Sequence, residues 1–157
     1  AGMSPLYDRP NDIPESLWDK VQEVNLKGPF RLCAEVGQRM LDAGGGSIIN
    51  VSSTGAIRPT GTIIPYAAAK AGLNAMTEAF AMAYAPSVRV NCIMPGPFLT
   101  DISKAWDMEK FAERAATRIA MKRGGEPDEV VGMALYLASD HASYTTGAVI
   151  PIDGGSR

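Results

Sequence analysis

Tyr66 and Lys70 are the two residues of this sequence whose types and spacing point most directly to chemistry. They stand four positions apart in a segment with helical periodicity, so both side chains project from one face of a helix. A phenol with its ordinary pKa of about 10 exchanges protons poorly at neutral pH, but an ammonium one turn away should lower that pKa. Such a phenol can pass a proton to or from an alcohol oxygen. On spacing alone, an exposed tyrosine and lysine without a function is the simpler interpretation.

Three further residues stand near the ends of two predicted strands. Ser53 ends the strand predicted over 47–53, and Pro95 and Gly96 follow the strand predicted over 88–94. Ligands of open parallel sheets bind outside the carboxyl ends of the strands. There, the serine hydroxyl could polarise a substrate carbonyl, and the Pro-Gly turn could cradle a flat ring that carries an amide. Taken singly, each residue also fits an ordinary strand end or turn.

Strands that alternate with long helices must position these residues. The predicted strands cover 47–53, 88–94 and 146–152, and the predicted helices cover 15–24, 28–43, 66–84, 107–120 and 127–139. This order predicts an α/β fold with a parallel sheet that has helices on both faces. The first two strands are expected to be fully buried. Gly28 and Pro29 are expected to interrupt the first helix, with Pro29 in the first turn of the second.

Composition limits the classes of function that remain. The chain has 157 residues, 46% of them hydrophobic and 20% charged, with a net charge of −2, which fits one globular domain over 1–157. The near-neutral charge argues against a nucleic-acid partner, and no apolar run approaches the length of a membrane span. One histidine and two cysteines make a metal site improbable. Cys33 and Cys92 are expected to be buried free thiols of a cytoplasmic protein.

Five motifs in order make the chain resemble the short-chain dehydrogenase/reductases, in the compact branch that includes 3-oxoacyl-carrier-protein reductases. The motifs lie at Val24–Gly28, Ile49–Ser53, Tyr66–Gly72, Arg89–Pro97 and Ala138–Gly155. The resemblance implies a Rossmann-like doubly wound parallel sheet, N-terminally truncated, with about three strands left and helices on both faces. It also implies an NAD(P)-dependent oxidoreductase that transfers hydride between a small alcohol and a ketone, with NAD or NADP as cofactor.

The same resemblance implies a role for each catalytic residue. Tyr66 is the proton donor or acceptor, and Lys70 lowers its pKa and binds the nicotinamide ribose, so both also contact the cofactor. Ser53 holds the substrate oxygen, and Ser52 is the neighbour most easily confused with it. Asn25 anchors a water molecule in a proton relay that ends near Lys70.

The nicotinamide side of the site is assigned in the same way. Pro95, Gly96, Phe98 and Thr100 match the loop that contacts the nicotinamide in the family. Phe98 departs from the small aliphatic residue that is usual there. Residues 102–121 match the substrate flap, which names no particular substrate because such loops vary.

The nucleotide-binding part of the family pattern is missing from the sequence. Family members begin with a strand, a glycine-rich turn and a helix N-terminus that binds the pyrophosphate. The glycines at 44–46 and at 124–125 do not follow a predicted strand, and Ala1-Gly2 resembles the tail of an Asn-Asn-Ala-Gly motif. The chain is therefore expected to be the C-terminal part of a longer reductase, nearly inactive alone, with an exposed edge at its first strand.

The principal alternative to this function is that of a non-catalytic fragment that only self-associates. An epimerase or dehydratase with the same Tyr-Lys spacing would carry a longer C-terminal domain, and a serine hydrolase would carry a G-x-S-x-G elbow. The lone His141 fits an exposed loop after a helix. Helices 28–43 and 66–84 resemble the surfaces through which the family forms homodimers or tetramers.

Overall fold

The computed structural model describes the backbone of residues 2–157 and the side chains among them other than those at 102 and 105. The strands are β1 (Gly46–Val51), β2 (Val88–Pro95) and β3 (Val149–Ile152). The helices are α1 (Glu15–Gln22), α2 (Gly28–Asp42), α3 (Ile64–Tyr84), α4 (Met108–Arg118) and α5 (Val131–Ala138). Single 3-10 turns occur at Pro10–Asp12, Thr54–Ala56, Asp101–Ala105, Pro127–Val130 and Asp140–Ala142.

The three strands form one parallel sheet in the order β1-β2-β3, so β2 is central. Ile48 of β1 pairs with Val90 of β2, and Ile93 of β2 pairs with Ile150 of β3. Helix α3 connects β1 to β2, and α4 and α5 lie between β2 and β3 along the chain. The predicted Rossmann-like architecture with three parallel strands is confirmed.

The apolar core has one cluster on each face of the sheet. The first cluster is packed between the sheet and helices α2 and α3, and its buried members are Ala81, Val88 and Val90. The second is packed between the sheet and α5, and its buried members are Ile93, Leu137 and Ala142. Helices therefore cover both faces, as the alternation of elements predicted.

Strands β1 and β2 differ in burial, which corrects one expectation. Every residue of β2 from Val90 to Met94 is buried, as predicted. In β1 most residues are only partly buried and Val51 is 54% exposed, so the prediction of a fully buried first strand is wrong. The reason is that β1 has a paired strand on one side only within the described residues. The strand also ends at Val51 rather than at the predicted position 53.

The expected break at Gly28 and Pro29 is also wrong. The chain passes from α1 through a π-helical segment, Glu23–Lys27, directly into α2, and Gly28 N donates to Glu23 O. In an α-helix the ring of Pro29 would meet the carbonyl of Asn25, four residues earlier, and the wider π turn relieves this crowding. Within the described residues, no helix combines the length and the apolar character needed to cross a membrane.

Candidate functional site

Helix α3 carries Tyr66 in its first turn and Lys70 one turn later. Pro65 also lies in the first turn, where its missing N–H costs nothing, and the helix therefore begins two residues before the predicted start. The Nζ atom of Lys70 lies 5.8 Å from the centroid of the Tyr66 ring. The two side chains thus share one face of the helix.

Lys70 is held between the helix and the end of β1. Its residue is only 5% exposed, and Nζ donates a hydrogen bond of 2.8 Å to Val51 O. Burial lowers the pKa of Lys70, because desolvation disfavours the charged form, and the nearby Cys92 opposes that shift. An ammonium has three donors, and Val51 O is its one acceptor among the described residues. Two N–H groups therefore remain for a ligand with hydroxyl groups.

Ser53 and Tyr66 approach the same small volume beside Gly55. A Cβ atom placed on Gly55 would lie 3.4 Å from Ser53 Oγ and 3.7 Å from Tyr66 Cε1. Ser53 Oγ also accepts a hydrogen bond of 3.1 Å from Gly55 N, which fixes the hydroxyl at the start of a 3-10 turn. Gly55 is buried, and a Cβ atom there would lie only 2.9 Å from Ile63 Cδ1, so the Ile63 side chain packs directly against this glycine.

The neighbouring serine is engaged elsewhere. Ser52 is 4% exposed, and its Oγ donates a hydrogen bond of 3.1 Å to Lys70 O on helix α3. Its hydroxyl therefore joins the loop to the helix. Of the two serines, Ser53 is the one whose oxygen shares the space beside Gly55 with the Tyr66 ring.

Asn25 lies in the π-helical segment and is completely buried. Its Nδ2 donates to Met3 O at 2.8 Å and to Val21 O at 3.0 Å, and its Oδ1 accepts from Met3 N at 3.2 Å. The polar atoms of the Asn25 side chain thus bond main-chain groups, and they connect Met3 of the N-terminal segment to the end of α1. These contacts do not include Lys70.

Pro95 and Gly96 stand where β2 meets the turn after β3. Pro95 pairs with Ile152, and Gly96 N donates a hydrogen bond of 2.9 Å to Ile152 O. A Cβ atom on Gly96 would lie only 2.8 Å from Asp153 Cα. Glycine is therefore required at position 96 by the close approach of another stretch of main chain.

Phe98 and Thr100 lie further along the same loop. Phe98 forms a β-bridge with Gly125, and a Cβ atom on Gly125 would lie 2.8 Å from Phe98 Cε1, so the ring packs against that glycine. Thr100 is exposed, and its carbonyl accepts hydrogen bonds from Ser103 N at 2.9 Å and from Ser103 Oγ at 2.7 Å. Phe98 thus packs against a separate loop and Thr100 bonds within its own, and the contacts described for the predicted catalytic residues do not involve either of them.

Two small cavities lie at this edge of the molecule. The larger, about 380 Å³, is lined by residues of the loop after β2 and of the turn after β3, among them Phe98, Arg123 and Asp153. The smaller cavity is too narrow to admit a water molecule, and Tyr66 lines it together with Pro5, Tyr7 and Ile63. Ser53 and Lys70 are not among its lining residues.

Tyr7 and Gln22 belong to this region and were not found from the sequence. Tyr7 Oη accepts from Ile64 N at 2.7 Å and donates to Gly61 O at 2.8 Å. Gln22 Nε2 donates to Pro65 O at 2.9 Å. The partners are separated by 43 to 57 positions, so periodicity and local motifs carry no signal for them.

The sequence is similar to proteins that are named dehydrogenases and reductases. A family model described as Enoyl-(Acyl carrier protein) reductase matches residues 1–157. The chain is 38% identical over 156 residues to the NAD-dependent glycerol dehydrogenase of Listeria innocua, covering 99% of this chain and 61% of the relative. It is 44% identical over 144 residues to the 3-oxoacyl-[acyl-carrier-protein] reductase FabG of Thermotoga maritima, covering 91% of this chain and 58% of the relative.

Solved structures show the same similarity. A gluconate 5-dehydrogenase from Burkholderia cenocepacia, in complex with NADP and tartrate, matches with a TM-score of 0.93 and 30% identity over 99% of this chain and 61% of the other. A 3-oxoacyl-[acyl-carrier protein] reductase from Brucella melitensis matches with a TM-score of 0.93 and 31% identity over 99% of this chain and 60% of the other. The chain thus spans about three fifths of the length of these relatives.

Proposed function

The chain belongs to the short-chain dehydrogenase/reductase family, and from that premise we propose that it carries the proton-transfer site of an NAD(P)-dependent enzyme that interconverts an alcohol and a ketone. One arrangement supports this proposal above all. The buried ammonium of Lys70 lies 5.8 Å from the Tyr66 ring, and that ring shares the space beside Gly55 with Ser53 Oγ.

In the proposed reduction, Ser53 and Tyr66 act on the substrate oxygen, and Lys70 acts on Tyr66. The Ser53 hydroxyl donates a hydrogen bond to the ketone oxygen and polarises the carbonyl. Tyr66 gives its hydroxyl proton to that oxygen as the carbonyl carbon is reduced, and its phenolate is stabilised by the Lys70 ammonium. Tyr66 then regains a proton from solvent. In the oxidation, the same groups take the proton from the alcohol. The nicotinamide, when bound, supplies or accepts the hydride.

The donors around Lys70 fit a nicotinamide nucleotide. The two N–H groups that Val51 O leaves unused suit the hydroxyls of a ribose. We assign Pro95, Gly96, Phe98 and Thr100 to the carboxamide side of the same cofactor, and Asn25 to a water-mediated proton relay toward Lys70. NAD and NADP are both compatible with the family, because one relative is NAD-dependent by name and one solved structure contains NADP.

Exchange of Tyr66 for phenylalanine tests this function. The polypeptide encoded by the complete gene is assayed with NAD⁺ and NADP⁺ on glycerol and gluconate, and with NADH and NADPH on 3-oxoacyl thioesters, the compounds that the relatives' names suggest. Loss of the phenolic proton in Tyr66→Phe should lower kcat by about 10²- to 10⁴-fold. Tyr144→Phe is the matched control, because that residue is fully exposed, and it should keep wild-type turnover.

Undiminished turnover in Tyr66→Phe would remove the proposed acid–base role. The isolated 157-residue polypeptide is a useful comparison in the same titrations with NADH and NADPH. We expect it to bind both weakly and to be nearly inactive, because it holds only the nicotinamide end of the cofactor. Tight stoichiometric binding by this polypeptide would contradict that expectation.

Self-association of the chain is the second part of the proposal. Helix α2 exposes Phe30, Leu32 and Val36, and helix α3 exposes small residues such as Ala75 and Ala79. Apolar and small side chains on two neighbouring helices suit a homodimer or tetramer. Sedimentation velocity of the wild type and of Leu32→Glu tests this surface, and an unchanged oligomeric state would exclude it.

A cytoplasmic location is proposed because Cys33 and Cys92 are buried free thiols.

A further inference from the structure

The N-terminus of helix α3 is closed by a side chain from a distant part of the chain. Ile63 occupies the N-cap position and makes no side-chain hydrogen bond there, and Pro65 has no N–H. The N–H of Ile64 instead donates to Tyr7 Oη at 2.7 Å. The same Oη donates to Gly61 O at 2.8 Å, so one phenol bridges the loop before the helix and the first residue of the helix.

The segment that carries Tyr7 is itself anchored. The buried Asn25 binds both main-chain polar groups of Met3, at 2.8 Å and 3.2 Å. Gln22 of α1 binds the adjacent residue of the same helical turn through Pro65 O. The first turn of α3 is thus held by two side chains, which bind neighbouring residues of it.

We propose that Tyr7 is a positioning residue for Tyr66, an inference that rests on the proposed function. Tyr66 is the third residue of α3, within the turn that Tyr7 closes, whereas Lys70 lies one turn deeper and has its own bond to Val51 O. Loss of the Tyr7 hydroxyl removes one of the two side-chain hydrogen bonds that hold the first turn, and it leaves the bond from Lys70 to Val51 O in place. The phenol of Tyr66 then loses its alignment with the lysine, and a small misplacement of a reacting group is costly to rate.

The variant Tyr7→Phe removes one oxygen atom and keeps the ring that lines the smaller cavity. We expect kcat to fall by about tenfold while KM for NADH or NADPH changes by less than twofold, because a positioning defect acts on the chemical step. Amide hydrogen exchange in peptides that cover residues 62–70 should be faster than in the wild type, since the N–H of Ile64 has lost its acceptor. Tyr144→Phe, the same change at a fully exposed site, should alter neither measurement.

Tyr66→Phe, measured in parallel, separates the two hypotheses. If Tyr66→Phe is inactive and Tyr7→Phe keeps wild-type kcat, the positioning role is wrong and the proposed function stands. If Tyr66→Phe retains turnover, the proposed function fails and the positioning role fails with it. If amide hydrogen exchange over residues 62–70 is unchanged in Tyr7→Phe, the Tyr7 hydroxyl does not hold the first turn of α3, and the positioning role is wrong whatever the activity. A lower melting temperature with unchanged kcat would show that Tyr7 contributes to stability alone, and it would also overturn the positioning role.

Discussion

Two loops at the carboxyl edge of the sheet are built in different ways. The serine loop, residues 52–63, directs side-chain groups toward the site, with Ser53 Oγ beside Gly55 and Ser52 Oγ on helix α3. The proline loop, residues 95–100, is held by main-chain contacts. Leu99 N donates to Gly125 O at 2.8 Å, and Gly125 N donates to Pro97 O at 2.9 Å.

This difference predicts which substitutions each loop tolerates. In the serine loop, Ser53 presents its hydroxyl to the candidate site, so removal of that oxygen should change chemistry more than stability, whereas Ser52 Oγ bonds Lys70 O and its removal should change stability. The proline loop depends on close main-chain approach, as at Gly96 against Asp153, so added volume should change stability. Substitutions in each loop test this difference.

Of the substitutions in the two loops, Ser53→Ala should give the largest effect. Without the hydroxyl, the substrate oxygen loses a donor that would stabilise the charge developing on it, and such a loss lowers kcat by about 10²- to 10³-fold. Ser53→Thr keeps the hydroxyl and should retain part of the activity. Steady-state kinetics on the polypeptide of the complete gene measures both variants.

Ser52→Ala is the matched neighbour of that experiment. Its hydroxyl bonds Lys70 O inside the structure, so its removal should cost about 1 kcal/mol of unfolding free energy with a much smaller change in kcat than Ser53→Ala. A larger loss of kcat in Ser52→Ala than in Ser53→Ala would show that the roles of the two serines are reversed.

Gly96→Ala tests the proline loop. The added methyl group would meet Asp153 Cα at 2.8 Å, and relief of that contact requires main-chain movement that should cost about 1–3 kcal/mol of unfolding free energy. Gly61→Ala in the serine loop is the control, because a Cβ atom there has no neighbour within 4 Å. Urea denaturation measures both variants, and equal stability of the two would contradict the proposed difference between the loops.

Features that depend on local spacing were predictable from the sequence. Tyr66 and Lys70 lie on one face because helical periodicity places residues four apart together. The three parallel strands follow from the alternation of strands and helices, which is also visible locally. Ser53 and the Tyr66 ring both lie beside Gly55, because their segments meet at the same edge of the sheet.

Features that depend on distant neighbours were not predictable. The partial burial of β1 depends on which strands lie beside it in the sheet, and the residues of β1 themselves do not show which strands those are. The π-helical segment depends on how Pro29 crowds a carbonyl in the preceding turn. Tyr7 reaches Ile64 across 57 positions, and Phe98 packs on Gly125 through a bridge between separate loops.

Protonation of Glu129 should give the smallest effect, and it acts on the segment beside the proline loop and on the 3-10 turn Pro127–Val130. Arg123 donates to Gly124 O, next to the glycine that the proline loop bonds, and its guanidinium makes two hydrogen bonds of 2.7 Å with Glu129. The hydrogen bonds from Arg123 and from Glu126 N lower the pKa of Glu129 from 4.5 to about 2.

A folded-state pKa below the unfolded value means that the pair stabilises the protein above pH 4.5, and that this stabilisation is lost as the pH falls through about 2. Glu129→Gln should therefore be less stable than the wild type at neutral pH, and the difference should shrink toward pH 2. Glu113→Gln, an exposed substitution in α4, should show no such convergence. Thermal denaturation across this pH range measures the difference, and a constant gap between Glu129→Gln and the wild type would mean that the ion pair does not hold the glycine segment on which the proline loop depends.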